Sequence, residues 1–229
     1  MTRDLVFTGF EGDDGSADPA VEAALVGEDP TVLMAVLATA RLLVPIVAEP
    51  VETDLSDEGL AVDKRTDMAA VTLVAPDGER ALPVFTSAAS LAAWDPQARP
   101  VPVTSARAGQ AAVSERCDVI VVDVAGPVTR VLRPSMVWAL AQQREWVAPH
   151  LDPFVAAGVA RAVAEEPEVR SHSVEEGAPA GSGVLGVVLE LVDGLDAPAV
   201  QRVATRVGER LATDGELRAR LDGLAFRIR

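Results

Sequence analysis

Apolar positions recur along this chain with two different spacings, and each spacing predicts a kind of element. Asp18-Pro19, Asp29-Pro30 and Asp152-Pro153 each put a side-chain acceptor at a helix N-cap and a proline in the first turn, where its missing N–H costs nothing. The first pair predicts a short helix to about Val26. The second predicts a helix over 30–40, with Val32, Leu33, Val36, Leu37 and Ala40 on one face. Arg41 to Val47 then reads as a buried strand stopped by Pro50. Runs over 68–74 and 80–85 flank Pro76-Asp77-Gly78, which predicts a hairpin. A helix over 87–94 comes next, ended by Asp95-Pro96. After it stands a strand over 99–103 whose two prolines assign it to an edge or a strand end. A helix over 105–116, strands over 118–124 and 128–132, and a helix over 134–143 complete this half.

Residues 146–153 hold two prolines and no clean period, which places a boundary near residue 149. Beyond it the order is helix (153–165), strand (168–174), a Gly/Pro/Ser loop (177–183), strand (184–192), helix (197–213) and strand (223–228). Along 197–213, Val200, Val203, Val207 and Leu211 share one face, and Arg202, Arg206 and Arg210 form a stripe beside it. The expectation is an α+β protein, with an antiparallel-rich mixed sheet and flanking helices followed by a small α-β-β-α-β domain. The corresponding division is an acidic segment at 1–29, a first domain at 30–148 and a second at 150–229.

Composition narrows the function classes. The chain has 229 residues, 49% hydrophobic and 24% charged, which fits a globular protein. Its net charge is −15, and residues 1–67 hold 15 acids against 4 bases. Such a surface repels phosphate backbones and anionic lipid, so nucleic acid and membranes are not expected partners. Cys117 is alone, which excludes an internal disulfide and a multi-cysteine metal cluster. Met1-Thr2-Arg3-Asp4 and the short apolar stretch from Leu5 to Phe10 do not make an export signal. Val32 to Ala48, the longest apolar window, is interrupted by Arg41 and Pro45. A cytoplasmic location is expected. Lys64 is the only lysine, and arginine, alanine and valine abound, a bias that reads as high-GC bacterial coding.

Several blocks together resemble a known family. They are Asp67-Met68 through Val71, Pro76-Asp77-Gly78, Leu82-Pro83-Val84-Phe85-Thr86-Ser87, Ala92-Ala93-Trp94, Ala98 to Val103 and Val121 to Pro127. With Ala38 to Pro45 upstream, they are similar to the SseB-like N-terminal domain, named for enhanced sensitivity to serine on overproduction. Residues 151–229 resemble the C-terminal domain that often accompanies it. The resemblance implies an α+β N-terminal domain, a small C-terminal domain and a cytoplasmic role. It carries no active-site residue and no cofactor.

The residues themselves offer little chemistry. Gly181-Ser182-Gly183-Val184-Leu185-Gly186 matches the dinucleotide fingerprint in letters, but a strand comes after it where a helix is needed, so it reads as a loop. His150 and His172 lie outside any triad motif and lack a ligand at metal spacing. Asp54, Asp57, Glu58 and Asp63 form an acidic cluster without EF-hand spacing. The arginine stripe reads as a solvated flank, with docking onto an acidic surface as its alternative. Thr86 and Ser87 stand at a strand-to-helix junction, where capping explains both hydroxyls and anion binding is the alternative. Phe85, Trp94 and Arg99 could wall such a site, so Phe85, Thr86, Ser87, Trp94 and Arg99 are the candidate ligand-binding residues. The leading expectation is a non-catalytic interaction or regulatory protein with a protein partner, a homo-oligomer included, and no cofactor or metal. A binder of an anionic metabolite or amino acid, or an enzyme, is the rival.

Overall fold

The computed structural model describes Phe10, residues 12–48 and residues 68–229. The acidic cluster at 54–63 and the stop at Pro50 lie outside the described residues. Asp18 caps α1 (Pro19–Val26) and Asp29 caps α2 (Pro30–Leu37), each carboxylate accepting a first-turn N–H at 2.8 Å. The chain then passes through β1 (Arg41–Ala48), β2 (Met68–Ala70), β3 (Leu73–Val74), β4 (Arg80–Val84), α3 (Ala88–Trp94), β5 (Arg99–Thr104) and α4 (Ser105–Ser114). It continues through β6 (Val119–Val122), β7 (Arg130–Leu132) and α5 (Pro134–Ala141). The architecture is α+β, as the patterning predicts.

The predicted hairpin is divided between two sheets. Gly78, at φ +92°, and the Asp77 carboxylate that accepts from Glu79 N at 3.1 Å turn the chain as expected, and β3 pairs antiparallel with β4. Met68–Ala70 instead pairs with Ile46–Ala48 of β1. One sheet therefore runs β2-β1-β5, all antiparallel, and a second runs β3-β4-β6-β7, with β4 and β6 parallel. A bridge between Leu43 and Phe85, with both N–H···O=C distances 2.8 Å, ties the sheets together. Leu43 thereby turns its N–H and C=O away from β5, so its partner Pro102 sits in a non-hydrogen-bonded pair. The period of two puts Pro100 in the same position. Both prolines present their donorless nitrogens to the outer edge, which closes β5 to a further strand.

Helices α1, α2, α4 and α5 cover one side of these sheets around Leu37, Leu42, Leu82, Ile120, Leu132 and Met136, all fully buried or nearly so. Helix α1 lies inside this core through Val21, Ala24 and Leu25, so it packs with the elements that follow it. A smaller cluster under α3 joins Leu43, Phe85 and Leu91. Helix α4 contributes small residues, Ala108 and Ala112 among them, and approaches α5 closely at Gly109.

The last third is built on α6 (Pro153–Val163), β8 (Val169–Glu176), β9 (Val184–Leu191), α7 (Ala197–Thr213), α8 (Gly215–Ala219) and β10 (Gly223–Ile228). Strand β9 is central. Leu185, Val187, Leu189 and Leu191 alternate toward Val155 and Val159 of α6 and Val203, Val207 and Leu211 of α7. Two elements escape the sequence reading because they are short: a 3₁₀ turn at Pro149–Leu151 and α8, which Asp214 caps.

At Gly109 a Cβ would fall 2.7 Å from Ala141 N and 3.1 Å from the Val137 carbonyl, both backbone atoms that cannot swing aside. Gly109→Ala should therefore push α4 and α5 apart and cost about 1–3 kcal/mol, the range for overpacking, despite alanine's better helix propensity. Urea denaturation of the two proteins measures it.

Candidate functional site

The sequence-nominated residues lie at and beyond the end of β4, and internal bonds already engage most of their polar groups. Phe85 is fully buried, and Trp94 leans on it with ring centroids 5.4 Å apart. Ser87 Oγ caps α3 by accepting from Ser90 N at 3.0 Å. Thr86 donates its N–H (2.9 Å) and its hydroxyl (2.6 Å) to the two oxygens of Asp123. Asp123 is a residue the sequence reading passed over. It lies just after β6, is 4% exposed and adopts φ +51°, a left-handed conformation that aspartate tolerates better than most residues. The N–H of Ala88, at the start of α3, donates to the Gly15 carbonyl at 2.8 Å. Arg41 binds the Thr86 carbonyl at 2.8 Å and Asp13 at 2.8–2.9 Å, holding the acidic segment over the junction. Arg99 is exposed and pairs with Ile46, three strand positions or roughly 10 Å beyond Leu43. Phe85, Thr86, Ser87 and Trp94 are thus gathered at one junction, and Arg99 stands apart.

A different surface carries a groove. It measures about 580 Å³ and runs between α2, the C-terminal end of α5 and the corner from β5 into α4. Met34, Leu140 and Trp146 form an apolar floor, each no more than 6% exposed. Thr31, Thr39, Thr104, Gln143 and Glu145 stand around it. Trp146 donates its indole N–H inward to Ser135 Oγ at 3.1 Å, so the ring can line the groove without an unpaired donor. Gln143 ends α5 at φ +54°, a conformation usually left to glycine. Arg144, also at the groove, is taken by Glu216 at 2.6 Å and lies over the Trp138 ring. No sequence motif marks this surface, because its lining comes from segments up to more than 100 residues apart.

Beside the groove, the two parts of the chain meet. Helix α5 begins at Arg133-Pro134 with no cap of its own. Asp222, just before β10, supplies one by accepting from Ser135 N and Ser135 Oγ at 2.8 Å each, while Arg133 Nε binds it at 2.9 Å. Arg133 also donates to the Gly181 carbonyl at 2.6 Å. The glycine-rich loop has its explanation here. Gly183 has φ +75°, and a Cβ on it would fall 2.1 Å from Asp222 Oδ2 and 2.7 Å from Arg133 Nε. Gly183 makes room for this ion pair, and β9 begins directly after it, so no helix N-terminus faces the loop. Nearby, Arg220 binds Asp152 and Glu216 at 2.7 Å each and stacks over Trp138 and Phe154.

Two of the three arginines expected on a solvated flank are engaged instead. Arg206 and Arg210 grip Glu166, whose side chain is 1% exposed, and Arg210 also donates to the Ala162 carbonyl at 2.9 Å. Arg202 stays exposed. The Arg206 hydrogen bonds hold the Glu166 carboxyl below its ordinary value against the opposing effect of burial, and Arg210 adds to them. Burial pushes the Cys117 thiol up, which keeps it protonated and unreactive at neutral pH. His150 is half-buried beside α6, and His172 is exposed on β8. Among the described residues, no group of three or more His, Cys, Asp or Glu side chains could hold a metal ion, and no helix is long and apolar enough to cross a membrane.

With this geometry in place, comparison with known proteins defines the class. The family model for the SseB protein N-terminal domain matches residues 18–139, more than half of the chain. The chain belongs to the SseB family. The matched stretch takes in α1, the Thr86–Asp123 junction and most of the groove. No curated protein and no solved structure matches the chain.

Asp222→Ala should remove the cap on α5 and leave Arg133 unpaired, at a cost of about 2–4 kcal/mol. Gly183→Ala should act in the same direction, since it wedges the pair apart. Urea titration monitored by tryptophan fluorescence reads both. Glu166 gives a pH test. Its carboxyl is lowered on folding, so the stability it contributes is complete above the ordinary value of 4.5 and is lost as pH falls through the lower folded value. Glu166→Gln should therefore lower the urea midpoint at neutral pH, and the difference should shrink as the medium is acidified below that value.

Proposed function

We propose that this SseB-family chain is a non-catalytic interaction protein that docks an apolar segment of a protein partner in the α2–α5 groove. The observation that carries this reading is the groove itself: the floor of Met34, Leu140 and Trp146 is apolar, and its one arginine is already paired with Glu216. A surface of this kind suits side-chain burial, the main driving force of protein association. The buried carboxylates support the same reading. Asp123, Asp152 and Glu166 are each engaged by a backbone amide, a hydroxyl or an arginine within the fold, in pairings that hold elements together. Protein contacts of this type also include a second copy of the chain.

Ala35 is exposed on α2 and lines the groove, so Ala35→Glu places a charge there without disturbing the core. Affinity capture from the native host, and then titration of the purified partner, should give at least about a tenfold weaker Kd for Ala35→Glu, equivalent to about 1.4 kcal/mol. Its folding stability should change by no more than about 0.5 kcal/mol. Ser87→Ala should cost about 1 kcal/mol of stability through the lost cap and leave capture unchanged. A saturable thermal shift with an amino acid or anionic metabolite, abolished by Ser87→Ala, would overturn the reading in favour of a ligand site at the junction.

A further inference from the structure

An edge strand leaves one row of backbone N–H and C=O groups unpaired, and natural proteins guard such rows. Among the described residues, five of the six sheet edges are guarded. Strands β2, β3 and β7 are three residues long or shorter, and Pro100 and Pro102 close β5. Strand β8 is bulged between Val169 and Ser171 and exposes Arg170, His172 and Glu176. Strand β10, at the opposite edge of that sheet, has no proline and keeps an unbroken register with β9. Arg229, directly after it, exchanges hydrogen bonds with Leu189 and Leu191 of β9 at 3.0 and 3.1 Å. Alternate residues of a strand bond to the same side, so Arg227 and Ala225 also bond toward β9. Leu224, Phe226 and Ile228 therefore turn their N–H and C=O outward, and none of the three is charged. They are also the large apolar residues of the strand. Their register partners Leu185, Val187 and Leu189 are buried against the helices, whereas Leu224 and Phe226 are half-buried and Ile228 is 38% exposed.

We propose that β10 pairs antiparallel with β10 of a second copy of this chain, about a two-fold axis at Phe226, and joins two three-stranded sheets into one. The strand is complementary to itself in this register, as an isologous contact requires. Phe226 stands opposite Phe226, and Leu224 opposite Ile228 of the other copy, each pair exchanging two hydrogen bonds. Ala225 falls opposite Arg227 and Gly223 opposite Arg229, so no like charges stand directly across the joint. Neighbouring registers lack this fit. An axis at Arg227 would set that arginine against itself, and an axis at Ala225 would set Ile228 against Asp222. The joint shares no residue with the α2–α5 groove, so it is independent of what docks there.

Sedimentation velocity on the full chain over a concentration series tests the association, and a monomer–dimer equilibrium is expected. Ile228→Lys should raise the dimer Kd at least about tenfold and leave the far-UV circular dichroism unchanged. Cysteine variants read the register, since Cys117 is buried and does not compete. Across the joint, Ala225 and Arg227 form a non-hydrogen-bonded pair with Cα atoms roughly 4.5 Å apart, within disulfide reach. A mixture of Ala225→Cys and Arg227→Cys chains should therefore give a disulfide-linked dimer on mild oxidation, and neither variant alone should. A monomer at every concentration overturns the proposal, as does a dimer that survives Ile228→Lys. A mixture that fails to crosslink, or a crosslink in one variant alone, overturns it as well. A dimer lost in Ala35→Glu but kept in Ile228→Lys overturns it by placing the second copy in the groove, and leaves the docking reading standing.

Discussion

Asp222 is the joint on which the long-range organisation of the molecule depends. Helix α5 starts without a side-chain acceptor of its own, and its first-turn amides would otherwise be satisfied only by solvent. A carboxylate from 87 residues further along the chain fills that place and is itself neutralised by Arg133. Ser135 then links the cap to the indole of Trp146, and Trp146 forms part of the groove floor. The last third of the chain therefore sets the start of α5, and α5 in turn sets one wall of the groove. Arg220 and Arg144, stacked on Trp138 and sharing Glu216, reinforce the same contact from the other side. Arg220 and Arg144 hold the Glu216 carboxyl below its ordinary value, with the Arg220 hydrogen bond contributing most.

Polar residues throughout the fold perform comparable tasks. Asp18, Asp29, Asp152, Asp196 and Asp214 cap helices. Asp123 ties β6 to the strand-to-helix junction, and Glu166 ties α6 to α7. The groove differs in kind. It offers shape and apolar surface, with exposed groups at its edge.

Much of the architecture was legible because it obeys short-range rules. The Asp-Pro caps, the turn at Pro76-Asp77-Gly78 and the alternation along β9 specify elements without reference to the rest of the chain. Residues 197–213 and 223–228 form the helix and strand that periodicity predicts. The Ser87 cap was legible for the same reason. Pairing was less so. Met68–Ala70 and Leu73–Val74 read as one strand, whereas the first pairs with Ile46–Ala48 and the second with β4, in two different sheets.

The linear order of residues thus determined most of the helices and strands, the α+β class, the acidic charge and the family to which the chain belongs. Tertiary structure alone decided which groups face one another: Thr86 with Asp123, Arg133 with Asp222, Arg206 and Arg210 with Glu166, and the apolar side of α2 with the end of α5. Capping and periodicity act within about one turn or one strand, where local sequence states them. Ion pairs and grooves arise from segments dozens to more than a hundred residues apart, and charge or hydrophobicity at either partner does not say which distant segment will meet it.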